Sequence, residues 1–493
     1  MPELTVVTAL RLEALAVGGR TTVAGMGRHN ATTTGARLSS SLPPDAPVVV
    51  AGVGGGVSPE LRSGQVVVAT EVRTTGDGRH RGLPLPGASI VANELARSGL
   101  DVRTGPVVSS DRILGRRQRA ALWETGALLV DMESVWLAEQ LAGHPLAVVR
   151  VAADSMTHGP VVGGLRTIRP LMGIRTPLER WACALGRRDV VLAAPRSFCA
   201  GVERAVDIVE RSLERFGAPV YVRRQIVHNT HVVADLQARG AVFVEELDEV
   251  PVGATCVLAA HGVHPAVHIE ARKRQLNVID ATCPLVAKVH HEARRYARQG
   301  RHLVLVGHGE HEEVVGTMGE APDRTHLVET IDDVERLPLA RDEPVAYLTQ
   351  TTLAVDETAG IVDALRNRFT DLVGPAAHDI CYATQNRQDA VSALAGRCDL
   401  LLVVGSPNSS NTVRLVEVAR RQGCHAELVE DEHHLQLSWL DGVSVVGVTA
   451  GASAPESLVQ RVVTALGILG PIEVREQRTS TETVRFSLPQ KVR

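Results

Sequence analysis

Three cysteines divide the second half of the chain into repeated units. Cys199, Cys283 and Cys381 each end a short apolar run and begin a segment with helical character. A second polar residue follows each cysteine 28 or 29 residues later: His228, His311 and Ser409. A third follows after 62, 68 or 72 residues: His261, Thr351 and Ser453. Because repetition at a near-constant period indicates repeated supersecondary units, the pattern predicts three α/β lobes, each directing one cysteine and two polar groups to a common centre.

The chain is too long for a single core, since 493 residues suggest two to four domains. Short apolar runs alternate in the first block with helix-like stretches such as Ser58–Ser63, Ile90–Ser98 and Val135–Ala142, which predicts an α/β sandwich there. A Gly-, Pro- and Arg-rich segment with one short helix follows it, and the triple unit begins at Asp189. The predicted division is a first domain at 1–158, a linker at 159–188, a three-lobed domain at 189–475 and a C-terminal tail at 476–493 with one β segment at Thr483–Leu488.

Composition excludes several classes of protein. A net charge of −4 provides no basic field, so we expect no nucleic-acid partner. No apolar stretch approaches the roughly 20 residues of a membrane helix, and the first residues do not resemble an export signal, so we expect no membrane association. Seven cysteines, an odd number, argue against a disulfide framework and favour the reducing cytoplasm.

The three repeated cysteines have three possible roles. Structural zinc normally has four ligands with closely spaced pairs, whereas these cysteines are 84 and 98 residues apart. Simple burial is common for a lone cysteine, but these three follow strands within polar, Gly- or Pro-containing turns, where α/β proteins bind ligands. An iron–sulfur cluster held by three cysteines fits the spacing better than either alternative.

Polar turns in the same region favour an anion pocket. The motifs VHN (227–229), AHGV (260–263), NSSN (408–411) and GASAP (451–455) each place His, Ser or Asn after an apolar run. Such donors near helix N-termini can bind a phosphate or diphosphate, although Ser and Asn also serve as ordinary helix N-caps. Glu313 is either a proton donor near the cysteines or part of a solvated acidic turn with its glutamate neighbours.

These residues lie in motifs that resemble the LytB/IspH family of 4-hydroxy-3-methylbut-2-enyl diphosphate reductases. The likeness runs in order from about Val190 to the C-terminus: FCAGVERA, VHNTHVV, AHGV, DATCPLVAKVH, VGTMG, LTQTTL, ICYATQNRQ, VGSPNSSNT and VTAGASAPE. The resemblance implies a trefoil of three α/β lobes around an oxygen-sensitive [4Fe–4S] cluster. It also implies the last step of the methylerythritol phosphate route to isoprenoids, with electrons from an external donor such as ferredoxin or flavodoxin.

The resemblance also implies residue roles. The cluster ligands would be Cys199, Cys283 and Cys381. The substrate and its diphosphate would be bound by His228, His261, His311, Thr351, Thr352, Ser409, Ser410, Asn411 and Ser453. Glu313 would be the proton-relay glutamate, working with the Thr351 hydroxyl.

Two positions depart from the family pattern. His311 is followed by Glu312 where the family has proline, and Val315 replaces an acidic residue two positions after Glu313. The extra carboxylate could move the pKa of the relay, but it leaves the relay glutamate in place.

The first block resembles purine nucleoside phosphorylases and nucleosidases. The motifs are TALRLEAL, GVGGG at 52–56, SSD at 109–111, VDMES at 130–134 and RVAADS at 150–155. The resemblance implies that Glu133 binds ribose hydroxyls, Asp154 protonates the purine and Glu13 activates water. An adenosine-like or isoprenoid-linked nucleoside would be the substrate. The alternative is a degenerate domain retained for packing or assembly.

Three function classes therefore compete. The leading interpretation is a reductive dehydroxylase that yields isopentenyl and dimethylallyl diphosphates. The second is a nucleosidase or phosphorylase whose C-terminal lobes form a non-catalytic iron–sulfur ligand-binding module, and the third is an iron–sulfur sensor. Glu313 and Thr351 favour the first over the third, because a sensor needs no proton relay.

Overall fold

The computed structural model describes residues 3–74, 82–154, 165–375 and 379–493. Within these ranges no helix is both long enough and apolar enough to span a membrane. The chain forms two compact units. The first contains Met1–Arg188, Glu432–Ser444 and Val462–Glu473, and the second contains Asp189–Asp431, Val445–Arg461 and Val474–Arg493.

The first unit is built on one mixed eight-stranded sheet. Its strands are β1 (Thr5–Thr8), β2 (Thr21–Val23), β3 (Val48–Gly56), β4 (Val66–Thr74), β5 (Leu83–Pro84), β6 (Val102–Ser109), β7 (Leu129–Asp131) and β8 (Leu146–Ala152). Its helices are α1 (Arg11–Val17), α2 (Arg28–Ser41), α3 (Ala88–Arg97), α4 (Arg116–Trp123), α5 (Ser134–Gln140), α6 (Leu165–Gly173) and α7 (Arg175–Cys183).

The expected α/β layering of this unit is modified by β8. The strand order is β2-β1-β3-β7-β6-β4-β5, and β8 pairs with both β3 and β4, which closes part of the sheet into a ring. The valine-rich runs of β3, β4 and β8 are almost wholly buried, because helices cover the outside while the strands enclose a core. Glu133 and Asp154 follow the carboxyl ends of β7 and β8, and Glu13 lies on α1, which follows β1.

The second unit contains three parallel sheets. The first two have the orders β11-β10-β12-β13 and β15-β14-β16-β17, and the third has the order β19-β18-β20-β9-β21. The strands of the first two sheets are β10 (Val220–Arg223), β11 (Ala241–Val244), β12 (Thr255–Leu258), β13 (Asn277–Asp280), β14 (His302–Val306), β15 (Thr325–Val328), β16 (Val345–Thr349) and β17 (Leu372–Val373). Those of the third are β9 (Arg188–Ala194), β18 (Leu400–Val404), β19 (Ala426–Val429), β20 (Val445–Ala450) and β21 (Ile472–Arg478).

Helices connect these strands and cover the sheets. In chain order they are α8 (Ala200–Phe216), α9 (Thr230–Ala238), α10 (Pro265–Lys273), α11 (Pro284–Arg298), α12 (Glu312–Met318), α13 (Ile331–Arg336), α14 (Val355–Arg368), α15 (Tyr382–Ala395), α16 (Ser410–Arg421) and α17 (Glu456–Ile468). Each sheet has its own apolar cluster, so each is the centre of one lobe.

The three lobes share one connectivity. Each sheet orders its strands second, first, third and fourth along the chain, and β9 takes the fourth place in the last lobe. Each cysteine follows such a fourth strand (β9, β13 or β17) and precedes the long helix that leads to the next lobe. The polar residues of the second and third sets follow the first and third strands. Since the carboxyl ends of parallel strands meet at one edge, this connectivity brings all three sets together, and the predicted α/β trefoil fold is confirmed.

Three local expectations need correction. Residues 58–63, expected to be helix-like, form consecutive turns, with Leu61 N bonded to Ser58 O and Gln65 N to Arg62 O. The β segment expected at Thr483–Leu488 is wrong, and the strand is β21. Its charged, exposed side chains are typical of a sheet edge and resemble a tail in sequence. The region predicted as a linker with one short helix contains α6 and α7; its boundary at 158/159, and Ser155, lie outside the described residues.

Candidate active sites

The three cysteines are the N-cap residues of the three long helices α8, α11 and α15. The sulfur of Cys381 accepts a hydrogen bond from Thr384 N at 3.3 Å and lies 3.2 Å from Thr384 Oγ1. Burial raises the pKa of Cys283 to about 12 and that of Cys381 to about 11. A helix N-terminus favours a thiolate, and a bound metal would offset the cost of burial by removing the thiol proton.

Gly201 leaves room for these sulfurs to approach. A Cβ atom added there would lie 2.7 Å from Cys283 Sγ and 3.7 Å from Cys199 Sγ, so even alanine would crowd them. The three cysteines also line a single cavity of about 700 Å³. Among the described residues, no three His, Cys, Asp or Glu side chains are placed to share one metal ion. Three cysteines at one cavity could hold a cluster in which each thiolate ligates a different iron atom.

Three histidines form a second wall of the cavity. The rings of His228 and His261 stack with their centroids 4.0 Å apart, and the ring of His311 meets both edge-on at 5.7 and 5.8 Å. Burial lowers the pKa of all three, to about 4 for His311 and well below the usual value for His261. The buried Nδ1 of His261 has no hydrogen-bond partner among the described residues. An anion placed here would both satisfy that nitrogen and raise the imidazole pKa values.

Hydroxyl and amide groups complete the polar wall. Ser409 is the N-cap of α16, and its Oγ lies 3.1 Å from Ser453 Oγ. Thr352 Oγ1 donates to Ser410 Oγ at 3.0 Å. Asn411 Oδ1 accepts from Ala452 N at 2.8 Å. Ser409 therefore has both functions weighed in the sequence analysis, because the same side chain caps a helix and lines the cavity.

Glu313 is buried beside Thr351. Thr351 N donates to Glu313 Oε1 at 2.7 Å, and Thr351 Oγ1 donates to Oε2 at 2.9 Å. Burial raises the pKa of Glu313 to about 7, against the opposing effect of these two donors. A carboxyl group with this pKa can hold and release a proton near neutrality. Glu313 is only 2% exposed, so the alternative that it belongs to a solvated acidic turn is wrong.

The neighbouring carboxylate has a different environment. Glu312, the extra acid relative to the family pattern, forms an ion pair with Arg224. Arg224 also contacts Glu246 at 3.1 Å. The negative charge of Glu312 is therefore paired with Arg224 rather than with any group at Glu313.

The structure adds two residues that the sequence analysis did not select. Thr384 contacts Cys381 and also accepts from Asn411 Nδ2 at 3.4 Å. Gln350 accepts from His308 N at 3.0 Å and donates to Thr352 Oγ1 at 2.8 Å. Both lie in motifs already noted, ICYATQNRQ and LTQTTL. Their closeness in sequence to Cys381 and Thr351 was the signal by which the sequence could have indicated them.

The first unit has its own cavity, of about 1060 Å³, which Glu13, Glu133 and Asp154 all line. Glu13 accepts three backbone N–H bonds, from Ala9 at 3.0 Å, Leu10 at 2.9 Å and Val53 at 2.8 Å. These donors fix the orientation of the carboxylate. Glu13 also lies at the third position of α1, so it caps that helix.

Glu133 and Asp154 each lie beside an arginine. Glu133 accepts from Gly27 N at 3.2 Å and lies 3.7 Å from Arg150 Nη2. Burial raises the pKa of Glu133 to about 7, although Arg150 opposes the shift. Asp154 accepts from Gly56 N at 2.9 Å and from Arg119 Nη1 at 2.7 and 2.8 Å.

The fully buried Arg150 links the acids of this cavity. Its Nε lies 2.8 Å from Asp131 Oδ2, while its Nη1 has no hydrogen-bond partner among the described residues. A Cβ added to Gly52 would meet both that Nη1, at 2.5 Å, and Glu13 Oε1, at 2.7 Å. The unsatisfied guanidinium nitrogen therefore lies close to the Glu13 carboxylate.

Comparison with known proteins gives a different family match for each of the two parts of the chain. Residues 190–467 match the family model of LytB protein, and residues 14–162 match that of the phosphorylase superfamily. The 4-hydroxy-3-methylbut-2-enyl diphosphate reductase of Acidothermus cellulolyticus is 56% identical over 310 residues, covering 63% of this chain and 91% of the relative. That of Mycobacterium ulcerans is 56% identical over 323 residues, covering 65% and 97%.

A solved structure agrees with these matches. The E-1-hydroxy-2-methyl-but-2-enyl-4-diphosphate reductase from Plasmodium falciparum is 37% identical, with a TM-score of 0.60, and the alignment covers 62% of this chain and 97% of that one. More than half of the chain is thus matched by one family model, and nearly the whole length of each relative is matched in turn. The chain therefore belongs to the LytB family and carries, ahead of the LytB region, a segment that matches the phosphorylase superfamily.

Proposed function

We propose that the second unit reduces (E)-4-hydroxy-3-methylbut-2-enyl diphosphate to isopentenyl and dimethylallyl diphosphates. The observation that supports this most directly is the single cavity lined by three cysteines, three histidines and the Glu313–Thr351 pair. Overall, two electrons and two protons are taken up, the C4–O bond breaks, and the oxygen leaves as water. The region 189–475 would be the reductase domain, with 476–493 as its tail.

Cys199, Cys283 and Cys381 would hold a [4Fe–4S] cluster. Their positions at helix N-termini and the space left by Gly201 support this assignment. When bound, the cluster supplies electrons one at a time and a Lewis-acidic iron atom without a protein ligand. The electrons come from an external one-electron donor such as ferredoxin or flavodoxin, and the reaction takes place in the cytoplasm.

The diphosphate would be bound by His228, His261 and the hydroxyl and amide groups of Ser409, Ser410, Asn411 and Ser453. The pKa values of His228 and His261 are lowered by burial. A diphosphate placed beside them would raise these pKa values, so that both histidines gain protons and each imidazolium donates to a phosphate oxygen. The N-terminus of α16 adds a favourable dipole. This part of the cavity would orient the substrate, and His311 and Thr352, which line the same cavity, would be further substrate contacts.

Glu313 and Thr351 would deliver the proton that turns the leaving oxygen into water. A protonated Glu313 can donate to Thr351 Oγ1, which lies 2.9 Å from its carboxyl group, while the threonine hydroxyl donates its own proton to the substrate oxygen. Burial of the pair excludes water from competing for that proton. The allylic fragment then accepts a proton at either end, which gives the two products.

The test is anaerobic oxidation of a reduced viologen dye, with and without the substrate, by protein whose iron and sulfide content is verified. We expect oxidation only when 4-hydroxy-3-methylbut-2-enyl diphosphate is present, together with both products by chromatography. An intact cluster without substrate-dependent oxidation would contradict the proposal and favour the binding-module or sensor alternatives.

For the first unit we propose cleavage of the glycosidic bond of a purine nucleoside. The supporting observation is the cavity in which Glu13, Glu133 and Asp154 converge. Glu133 would bind ribose hydroxyls, Asp154 would protonate the purine and Glu13 would orient water. Because Arg119 holds Asp154 through two contacts, the arginine must release this carboxyl group before it can act as an acid.

This second activity is tested by adenine release from adenosine, with and without inorganic phosphate. Dependence on phosphate would identify a phosphorylase, and independence a nucleosidase. Glu133→Gln is the matched variant, because it keeps the shape of the side chain and removes its charge. Release by neither route, from protein that binds adenosine, would support the degenerate-domain alternative.

A further inference from the structure

Three basic side chains connect the three cysteine-bearing segments in a cycle. They are Arg204, Lys288 and Arg387, which lie five, five and six residues after Cys199, Cys283 and Cys381. Each lies on the helix that its own cysteine caps, on α8, α11 or α15 respectively. None of them is among the residues assigned above to the cluster, the substrate or the proton relay.

Arg204 reaches from the Cys199 helix to the turn that precedes Cys283. Its Nη1 donates to Ala281 O and to Thr282 O, each at 3.1 Å. Its Nε donates to Ser487 O in the C-terminal segment at 2.9 Å. The two carbonyl groups just before Cys283 are therefore fixed by the helix of the preceding cysteine.

Lys288 makes the equivalent connection from the Cys283 helix. Its Nζ lies 3.2 Å from Oδ1 of Asp379, the residue two positions before Cys381. The Asp379 side chain is fully buried, and its Oδ2 accepts from Thr349 N at 3.1 Å. The aspartate thus joins the approach to Cys381 both to α11 and to the end of β16.

Arg387 closes the cycle from the Cys381 helix to the approach to Cys199. Its Nε and Nη2 donate to Ser197 O at 3.2 and 2.7 Å. Its Nη1 donates to Glu482 Oε1, again in the C-terminal segment, at 2.9 Å. Arg387 is fully buried, and Ser197 has a positive φ of 61°, a conformation that a non-glycine residue keeps only when its surroundings hold it.

We propose that Arg204, Lys288 and Arg387 are positioning residues that hold the three cysteines at the spacing a cluster requires, an inference that rests on the cluster ligation proposed above. Each of them ties one cysteine helix to the residue one or two positions before the next cysteine. Loosening any one connection frees one thiolate relative to the other two. The C-terminal residues Ser487 and Glu482 brace two of the three connections.

The cycle matters because the three thiolates come from different lobes. Each cysteine follows the fourth strand of a different sheet, so no hydrogen bonding within a sheet fixes the distance between two cysteines. Ligand sites work when the supporting residues hold the ligands to within about 0.5 Å. Hydrogen bonds from charged donors to backbone carbonyls and a buried carboxylate are suited to that purpose. The three cations also lie near the proposed cluster, where positive charge favours its reduced form.

The test compares Arg204→Met and Lys288→Met with Arg211→Met, a matched control on α8 whose arginine forms exposed ion pairs with Asp207 and Glu214. Each protein is reconstituted anaerobically, its iron and sulfide are counted, and iron release to a ferrous chelator is timed. We expect iron release to be about tenfold faster from Arg204→Met and Lys288→Met than from the native chain or the control. We also expect a lower midpoint potential by electron paramagnetic resonance, with the metal-free protein still folded by circular dichroism.

The outcomes distinguish this inference from the function on which it rests. A native chain that assembles no cluster would contradict both, and Cys283→Ser provides the reference for that state. The positioning role alone would be overturned if the native chain assembles a cluster and both Arg204→Met and Lys288→Met show native rates of iron release and native midpoint potentials. Arg387→Lys, which keeps the charge and can keep one bond to Ser197 O, is expected to fall between the native chain and Arg387→Met.

Discussion

Each unit of the chain buries one glutamate whose pKa is raised to about 7, but the surroundings of the two differ. Glu313 has neutral donors, the N–H and hydroxyl of Thr351. Glu133 lies in a charged network with Arg150 and Asp131. Burial is the largest cause in both cases. Similar pKa values therefore arise from a buried carboxyl–hydroxyl pair in one unit and from a charged network in the other.

The difference indicates what each carboxyl group can do. Among the described residues Glu313 forms no ion pair, so a proton taken up by its carboxylate leaves no cation without its partner. A proton on Glu133 instead changes the charge balance around the fully buried Arg150, which also pairs with Asp131. We therefore expect Glu133 to accept hydrogen bonds from a ligand rather than to transfer protons.

The largest expected effect comes from Glu313→Gln. The amide cannot supply the proton for the leaving oxygen, so reductase turnover should fall 100- to 10,000-fold, roughly the usual contribution of a general acid. The cluster spectrum should be unchanged. Substrate-dependent viologen oxidation is the measurement, and Glu133→Gln is the control, since it should retain full reductase activity. Near-native turnover in Glu313→Gln would remove this residue from the mechanism.

A second prediction concerns stability in the first unit. The folded-state pKa of Glu133 is raised from 4.5 to about 7. The folded form therefore binds the proton more tightly than the unfolded form, so this group stabilises the fold below about pH 4.5 and the contribution is lost as the pH rises to about 7. The difference is on the order of 3 kcal/mol at most.

Calorimetry at pH 5 and pH 8 provides the check. The unfolding free energy of the first unit should decline less with pH in Glu133→Gln than in the native chain. The Arg150 ion pair is lost in the same variant, which lowers stability at both pH values but does not create the slope. Identical slopes in the two proteins would show that the Glu133 carboxyl keeps an ordinary pKa.

A third, smaller effect is expected from Thr351→Val. The variant removes the hydroxyl donor to Glu313 but keeps the backbone N–H, so one hydrogen bond to the carboxylate is lost. Turnover should fall about 100-fold, the lower end of a general-acid contribution, because the proton of Glu313 must then reach the substrate oxygen without the relaying hydroxyl. The pKa of Glu313 should rise further, because its charged form loses a donor.

The pH profile separates this effect from simple misfolding. A general acid must be protonated, so native turnover should decrease as the pH rises through about 7, the pKa of Glu313. In Thr351→Val the decrease should occur at higher pH. Thr351→Ser, which restores the hydroxyl, should recover both the rate and the position of the decrease. A decrease at the same pH in all three proteins would assign it to another group.

The sequence predicts the strand-to-helix turns of the second unit well. Cys199, Cys283 and Cys381 are predicted there because apolar runs, small residues and long amphipathic segments are local signals. The order in which strands lie side by side in a sheet depends on contacts between distant parts of the chain. Neither the place of β9 in the last lobe nor the closure of the first sheet by β8 could therefore be predicted. Arg204 and Arg387 were missed for a related reason, since a basic residue on a helix usually indicates a solvated face.

The smallest effect is expected at Glu312, the acid that the family pattern lacks. If its charge acted on Glu313, Glu312→Gln would lower the pKa of the relay and move the pH profile. In the structure Glu312 is paired with Arg224, and Asp379, not Glu312, is the charged group that raises the pKa of Glu313. We therefore expect Glu312→Gln to change turnover by less than about threefold, a size typical of a partly exposed ion pair, with no shift in the profile. A shift of half a pH unit or more would show that the two adjacent glutamates are coupled despite Arg224.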